Sequence, residues 1–247
     1  MKPLLEVCVV SVESAKTAEA VEAQRVELCD NLWEGGTTPS IGMISNVRKA
    51  IDIGIYVLIR PRGGDFIYSD AEFDVMKDDI IAAKKAGADG IVSGVLYPDG
   101  TVDVDRTSEL VELAKPLPFT FHRAFDCVND PVKGLNDVIS TGASRVLTSG
   151  LASKAVDGID TLANLQDTYG HEIEILVGGG ITSENIAQIA SETNCREFHL
   201  TGKKWQKSSI QYLPAVKMNG LQELPENDYL AASEEELKKV RLILDTL

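Results

Sequence analysis

Short β-rich runs alternate with longer amphipathic segments along most of the chain, and this alternation constrains the fold more than any other feature. The predicted strands are Leu4–Val10, Arg25–Cys29, Ile55–Arg60, Asp89–Ser93, Phe119–Arg123, Arg145–Thr148, Ile173–Val177 and Glu197–Leu200. The segments between them have apolar residues at helical spacing, as in the run 71–86, for which Asp70 is the expected N-cap. Eight such repeats predict an α/β protein with a single closed (β/α)₈ barrel of the TIM type. An open doubly wound sheet is the alternative, disfavoured because no Gly-x-Gly-x-x-Gly follows the first strand.

No linker or low-complexity segment divides the 247 residues, so residues 1–247 are predicted to form one domain. Residues 203–232 have no clear periodicity and are expected to form an irregular surface segment. Residues 233–247 are expected to form a C-terminal helix capped by Ser233, with three glutamates in its first turn. A homo-oligomer that uses the irregular segment is one expectation for the assembly.

The charge and the cysteines narrow the class of protein. A formal net charge of −14 argues against nucleic acids and anionic membranes as partners, since both reward a basic face. No apolar run is long enough to cross a bilayer, and the first ten residues lack the pattern of a signal peptide. The four cysteines are widely spaced and are expected to be reduced thiols in a soluble, cytoplasmic protein.

The end of the third predicted strand combines buried apolar residues with charge. Arg60 and Arg62 flank Pro61 there, and Gly63, Gly64 and Asp65 follow. A guanidinium that close to a buried strand needs an anionic partner, because an unpaired buried charge is costly. Two partners are open: a carboxylate of the protein, or an anionic ligand that the two glycines allow to approach the backbone.

Strand alternation predicts an unusually polar barrel interior. The residues expected to point inward are Glu6, Cys8, Glu27, Cys29, Leu58, Arg60, Thr120, His122, Glu197 and His199. Barrel interiors are normally filled by branched apolar side chains, and barrel active sites lie at the carboxyl ends of the strands. A ligand site at that end is therefore predicted. The structural alternative stays open: Glu27 and Arg60 pair with each other, the cysteines are small core residues, and the histidines are satisfied in the core.

The same residues suit a barrel enzyme. The candidate catalytic residues are Glu6, Glu27, Arg60, His122 and Asp126, with a glutamate as general base and His122 as its acid partner. Glycines follow the seventh and eighth strands, where many barrels bind a phosphate through backbone amides. The candidate anion-binding residues are Arg60, Arg62, Asp65, Arg123, Ser149, Gly179, Gly180, His199 and Gly202. Such a site would suit an isomerase or lyase acting on a small phosphorylated or carboxylated metabolite.

Several segments, taken in order and spacing, resemble the CutC copper homeostasis family. They are EVCV (6–9), ELCDNLWEGGTTPS (27–40), IRPRGGDFIYS (59–69), TFHRAFD (120–126), RVLTSG (145–150), VGGGI (177–181) and EFH (197–199). The resemblance spans nearly residues 4–202 and implies a TIM-type barrel, a cytoplasmic location and a role in copper handling. It supplies no reaction.

Carried over by position, the resemblance implies that Cys29 of the ELC motif binds copper, with Cys8 of EVC as its neighbour. Copper(I) is a soft ion that favours thiolates and accepts low coordination numbers. Inward cysteines on adjacent strands can approach within a strand spacing of ~5 Å. The residues therefore leave two functions open, copper(I) binding and catalysis on a small anion.

Overall fold

In a computed structural model, which describes residues 2–213, 215–219 and 223–247, eight parallel strands close into one barrel. The strands are β1 (Leu4–Val9), β2 (Arg25–Leu28), β3 (Gly54–Leu58), β4 (Gly90–Ser93), β5 (Phe119–Phe121), β6 (Arg145–Thr148), β7 (Glu174–Gly178) and β8 (Glu197–Leu200). The helices are α1 (Val12–Ala20), α2 (Ile41–Ala50), α3 (Asp70–Ala86), α4 (Val104–Ala114), α5 (Pro131–Ser140), α6 (Ile159–Tyr169), α7 (Ile186–Thr193) and α8 (Glu234–Leu244). The predicted (β/α)₈ fold is confirmed.

The barrel core lies between the strands and the helices. Val7 and Val26 face the helix layer and are completely buried, as strand alternation predicts. Residues of the opposite parity point to the barrel axis, and the register pairs Cys8 with Glu27 across β1 and β2. Among the described residues, no helix is both long and apolar enough to span a bilayer.

Strand and helix ends differ from the sequence prediction by one to three residues at several places. Strand β3 ends at Leu58, so Arg60 lies beyond the ladder, and Arg123 begins a short 3₁₀ helix, Arg123–Cys127, instead of ending β5. The prediction that Asp70 caps α3 is wrong. Ser69 is the N-cap, because its hydroxyl accepts from the Glu72 amide while the Glu72 carboxylate accepts from the Ser69 amide.

The segment 203–232 is more regular than its sequence suggests. Its two ends, β9 (Lys203–Gln206) and β10 (Tyr229–Ala232), pair as a two-stranded antiparallel sheet, and residues 214 and 220–222 lie outside the described part. The pairing partners are more than twenty residues apart, and neither strand has the apolar alternation that would predict the pairing. The Trp205 ring on β9 stacks on Trp33 with a centroid distance of 5.3 Å, which fixes this hairpin beside the barrel mouth.

Candidate functional site

A cavity of about 560 Å³ opens at the carboxyl ends of the barrel strands. The predicted site residues that line it are Cys8, Glu27, Arg60, His122, Arg123, Asp126, Gly179, Gly180 and His199. The predicted site residues that are not among its lining are Glu6, Cys29, Arg62, Asp65, Ser149 and Gly202. The strand ends therefore bring most of the predicted site to one mouth, as parallel strands in a barrel must.

Two thiols meet at the floor of this cavity. Cys29 lies two residues beyond the register partner of Cys8, yet the Cys8 and Cys29 Sγ atoms are only 3.3 Å apart. Both cysteines are free and buried, and Cys8 is the one that faces the cavity. The hydrogen bond with Cys29, together with burial, raises the pKa of the Cys8 thiol well above its ordinary value. The Cys8 thiol is therefore protonated at neutral pH, and a metal ion that binds there displaces a proton.

An oxygen and a nitrogen donor lie beside the Cys8 thiol. A ligand atom from each of Cys8, Glu27 and His199 lies within 4.8 Å of the other two, and all three residues are buried. His199 Nε2 is 3.7 Å from Glu27 Oε2. Sulfur, carboxylate and imidazole are all metal ligands in proteins, so these three residues form a candidate metal centre together with Cys29.

His199 is charged in this cluster. Burial opposes its charged form, but the Glu27 carboxylate and contacts with Cys8 and Glu6 outweigh burial and raise the pKa of His199 well above its ordinary value. Its Nδ1 donates to Glu6 Oε1 at 2.7 Å. Burial raises the pKa of Glu27, and the charge of His199 offsets only part of this effect. The cluster thus places an imidazolium that is paired with carboxylates beside the Cys8 thiol.

Beneath the cavity, acids and arginines form a closed network. Arg25 donates to Glu6 and, at 2.8 Å, to Glu197, while Arg145 binds the same Glu197 through Nη2 at 3.0 Å. The Arg25 guanidinium also lies 4.7 Å from the Tyr56 ring centroid. Glu6 therefore points into this network, where its charge is compensated. Sequence reasoning missed Arg25 and Arg145, although strand parity places Arg25 on the same face as Glu27.

The network predicts an acid-dependent loss of stability. Burial alone would raise the pKa of Glu6, but Arg25 and His199 reverse this and lower it to about 2, against an ordinary value of 4.5. A depressed pKa stabilises the fold above the unfolded value, so we expect Glu6 to contribute on the order of 3 kcal/mol at pH 6, lost as the pH falls from 4.5 towards 2. Urea unfolding at pH 6, 4 and 3 measures this loss of stability. The free energy of unfolding of Glu6→Gln should depend less steeply on pH than that of the native protein. An equal pH dependence in both proteins would contradict the stabilising role of the Glu6 charge.

Arg60 has partners that sequence reasoning did not foresee. Its guanidinium donates to the carbonyl oxygens of Glu34, Gly36 and Gly64, at 2.6, 2.8 and 2.8 Å. The Glu27–Arg60 ion pair of the structural alternative does not form, because carbonyls of the loops after β2 and β3 take up the guanidinium donors. Within the described chain, Arg60 Nε has no hydrogen-bond partner.

Arg62 and Asp65 lie away from the cavity lining. Arg62 binds Asp65, with Nη1 and Oδ1 3.1 Å apart, and donates through Nε to Glu72 in the first turn of α3. The anionic partner that the sequence demands for Arg62 is therefore supplied by two carboxylates of the protein itself.

His122 presents a neutral ring to the cavity. Burial and the nearby Arg60 charge lower the pKa of His122 to about 3. Nδ1 accepts from the Ala124 amide at 3.2 Å, so the ring proton is on Nε2, and in the described part of the chain that atom has no partner. The Phe66 ring, whose centroid is 4.9 Å from that of His122, covers one side of it. A neutral imidazole with an unused N–H is a hydrogen-bond donor for a ligand oxygen.

Asp126 anchors a loop at the cavity wall. Its carboxylate accepts from the Thr148 hydroxyl at 2.6 Å, from the Ser149 hydroxyl at 2.9 Å, from the Ser149 and Leu151 amides, and from Arg123 Nε at 2.7 Å. Arg123 also donates to the Ser149 hydroxyl at 2.8 Å. Ser149 thus stabilises the cavity wall without lining it, and the hydrogen bonds of Asp126 all serve to fix this loop.

The remaining wall combines two predicted glycines with residues that sequence reasoning did not assign to a site. Gly179 and Gly180 adopt positive φ values of +105° and +69°, which bring bare backbone to the cavity. Lys203 of β9 lines the rim, with its Nζ 5.6 Å from the Trp33 ring centroid. Cys127, the last residue of the short helix after β5, is exposed and also lines the cavity. Lys203 had no sequence signal, since the strand that carries it was not predicted.

Comparison with known proteins identifies relatives over most of the chain. The model of the CutC family matches residues 3–204. The copper homeostasis protein cutC homolog of Mus musculus is 47% identical over 209 residues, which are 85% of this chain and 77% of that protein. A family protein CutC of Bacteroides fragilis is 41% identical over 246 residues, covering 99% of this chain and 96% of the relative. The crystal structure of a copper homeostasis protein CutC from Streptococcus agalactiae has a TM-score of 0.77 at 34% identity and covers 81% of this chain and 98% of that one.

Proposed function

The chain belongs to the CutC family, and on that premise we propose that it binds copper(I) in the cytoplasm through Cys8 and Cys29. The observation that carries the proposal is the 3.3 Å separation of the two Sγ atoms, of which that of Cys8 lines an open cavity. Copper(I) prefers thiolates and accepts two or three ligands, so a pair of adjacent thiols matches its chemistry.

The surrounding charges support an ion bound between two thiolates. A copper(I) ion with two thiolates carries one net negative charge, which is costly to bury without compensation. His199, in the same cluster as Cys8, places a positive charge beside the ion, although the Glu6 carboxylate already offsets part of that charge. The Glu27 carboxylate lies close enough to Cys8 to complete the coordination of an ion that demands more ligands, and the His199 ring does so once the ion displaces its Nε2 proton.

Copper(I) titration of cysteine variants against a chromophoric copper(I) chelator tests the proposal. We expect Cys29→Ser and Cys8→Ser each to weaken copper(I) affinity by about 100-fold or more, since each loses a soft ligand that serine does not replace. Cys127→Ser is the matched control, because it removes a thiol of the same cavity that is not part of the cluster. Unchanged affinity in the Cys8→Ser/Cys29→Ser double variant would overturn the proposal.

A second candidate function is catalysis on a small phosphorylated or carboxylated metabolite, by an enzyme of the isomerase or lyase type. The observation that favours it is a cavity of about 560 Å³, of the size that holds small molecules and far larger than an ion requires. Glu27 would act as the general base, and His122 would polarise a carbonyl oxygen through its unused Nε2–H.

Thermal unfolding in the presence of such metabolites tests this second function. A ligand that binds the cavity should raise the melting temperature through linkage, and Arg123→Gln should abolish the shift. Arg62→Gln is the control, because Arg62 lies outside the cavity lining and pairs with acids of the protein. A library of phosphorylated and carboxylated metabolites that leaves the melting temperature unchanged would count against catalysis and would leave the copper proposal unaffected.

A further inference from the structure

The size of the cavity is unexplained by copper alone. An ion held between Cys8 and Cys29 would fill only a small part of about 560 Å³, and Cys8 itself lines this open space. Cavities of roughly 300–1,000 Å³ are typical of sites for small organic ligands. The cavity is therefore large enough for a small organic molecule that binds together with the ion.

The walls indicate the charge of that molecule. The buried Arg60 guanidinium donates to carbonyl oxygens and, among the described residues, forms no ion pair with the lining carboxylates of Glu27, Glu34 and Asp126. Two of these carboxylates have cations of their own, since Asp126 pairs with Arg123 and Glu27 lies beside His199. Lys203 adds a second cation at the rim, over the Trp33 ring. In a chain with a net charge of −14, such a wall selects anions that most of the surface repels.

The neutral N–H of His122 and the bare backbone of Gly179 and Gly180 line the same cavity. These groups can donate to carboxylate oxygens, whereas nothing in them binds a soft metal. The thiols thus lie on the floor and the donors for an anion line the space above them.

We propose that copper(I) reaches Cys8 as the complex of a small anionic thiol, which occupies the cavity with its carboxylates against Arg60, Lys203 and the His122 N–H. This proposal rests on the copper(I) function proposed above, and it adds the chemical form in which the protein takes up the ion. The metal stays copper(I) throughout, so no oxidant or reductant takes part.

The transfer is a ligand exchange. The Cys8 Sγ–copper bond forms as the bond between copper and the carrier's sulfur breaks, and the proton of the Cys8 thiol passes to the departing thiolate. A second exchange with the Cys29 thiol completes the bis-thiolate site when the carrier supplies two sulfurs. The freed carrier leaves as a neutral thiol group on an anionic molecule.

The test compares two carriers with the same thiol and peptide but with free or esterified carboxylates, the copper(I) complexes of glutathione and of glutathione diethyl ester. The rate of copper uptake can be followed by tryptophan fluorescence, because the two tryptophans of the chain, Trp33 and Trp205, stack at the cavity rim. We expect uptake from the glutathione complex to be about tenfold faster or more at low salt, with the difference shrinking as the ionic strength rises.

Lys203→Gln should reduce the preference for the anionic carrier several-fold. The neighbouring Lys204→Gln is the matched control and should retain it, since Lys204 is not among the residues that line the cavity. Copper-free S-methylglutathione, which has the carboxylates but no free thiol, should raise the melting temperature of the native chain and not that of Lys203→Gln.

The outcomes separate the two proposals. If the native protein takes copper(I) from neither carrier, the copper(I) function itself fails. If it takes copper(I) from both at equal rates, and Lys203→Gln behaves like Lys204→Gln, the copper(I) function stands and the anionic carrier is overturned.

Discussion

Replacing Arg25 by glutamine is expected to lower the free energy of unfolding by about 3–5 kcal/mol, because it leaves two buried carboxylates short of their common partner. Arg25 is 4% exposed and bridges Glu6 on β1 to Glu197 on β8. Arg145 would then be alone in compensating Glu197, and His199 alone in compensating Glu6. Urea unfolding at neutral pH, followed by circular dichroism, measures the loss.

Lys239→Gln is the control for this prediction. Lys239 pairs with Glu235 on the surface of α8, where both side chains are more than half exposed, and its removal should cost less than about 1 kcal/mol. A double-mutant cycle with Glu6→Gln should return a coupling of at least about 1 kcal/mol between Arg25 and Glu6. If Arg25→Gln were no more destabilising than Lys239→Gln, the network would not be a stabilising element of the barrel floor.

Strand alternation was sufficient to predict which residues share the barrel interior. The side-chain period of two is a local property of the backbone, so Cys8, Glu27 and His199 could be placed inside from their own strands. The same rule applied to Arg25 would have revealed the partner of Glu6. The meeting of the Cys8 and Cys29 thiols also follows from parity on adjacent strands, because the chain order of a TIM-type barrel sets which strands are neighbours.

The partners of side chains in loops could not be predicted in this way. Arg60 is bound by carbonyls of a loop more than twenty residues earlier, and the conformation of that loop has no periodic signal. The β9–β10 pairing that brings Lys203 to the cavity depends equally on contacts between residues distant in sequence. Sequence patterns thus predict the floor of the site better than its rim.

Asp126 shows how a residue with the chemistry of a catalyst can have a structural task. Its carboxylate is surrounded by donors from the Thr148, Ser149 and Leu151 segment and by Arg123. A carboxylate in that position has few lone pairs left for a substrate, because its two oxygens already accept from all of these donors. We therefore interpret Asp126 as the residue that positions Arg123 and the wall behind it.

Replacing Asp126 by alanine should lower the free energy of unfolding by about 3–5 kcal/mol. The substitution leaves several hydrogen-bond donors without an acceptor at a site where the carboxylate is only 9% exposed. Asp126→Asn keeps an acceptor oxygen and the side-chain volume, so it should cost clearly less. Asp137→Asn, which breaks the exposed pair with Lys133 on α5, is the surface control, with an expected cost below about 1 kcal/mol. Urea unfolding measures the free energy of unfolding of the three variants. An Asp126→Ala protein as stable as Asp137→Asn would mean that the loop keeps its conformation without the carboxylate, and that Asp126 is available for a catalytic role.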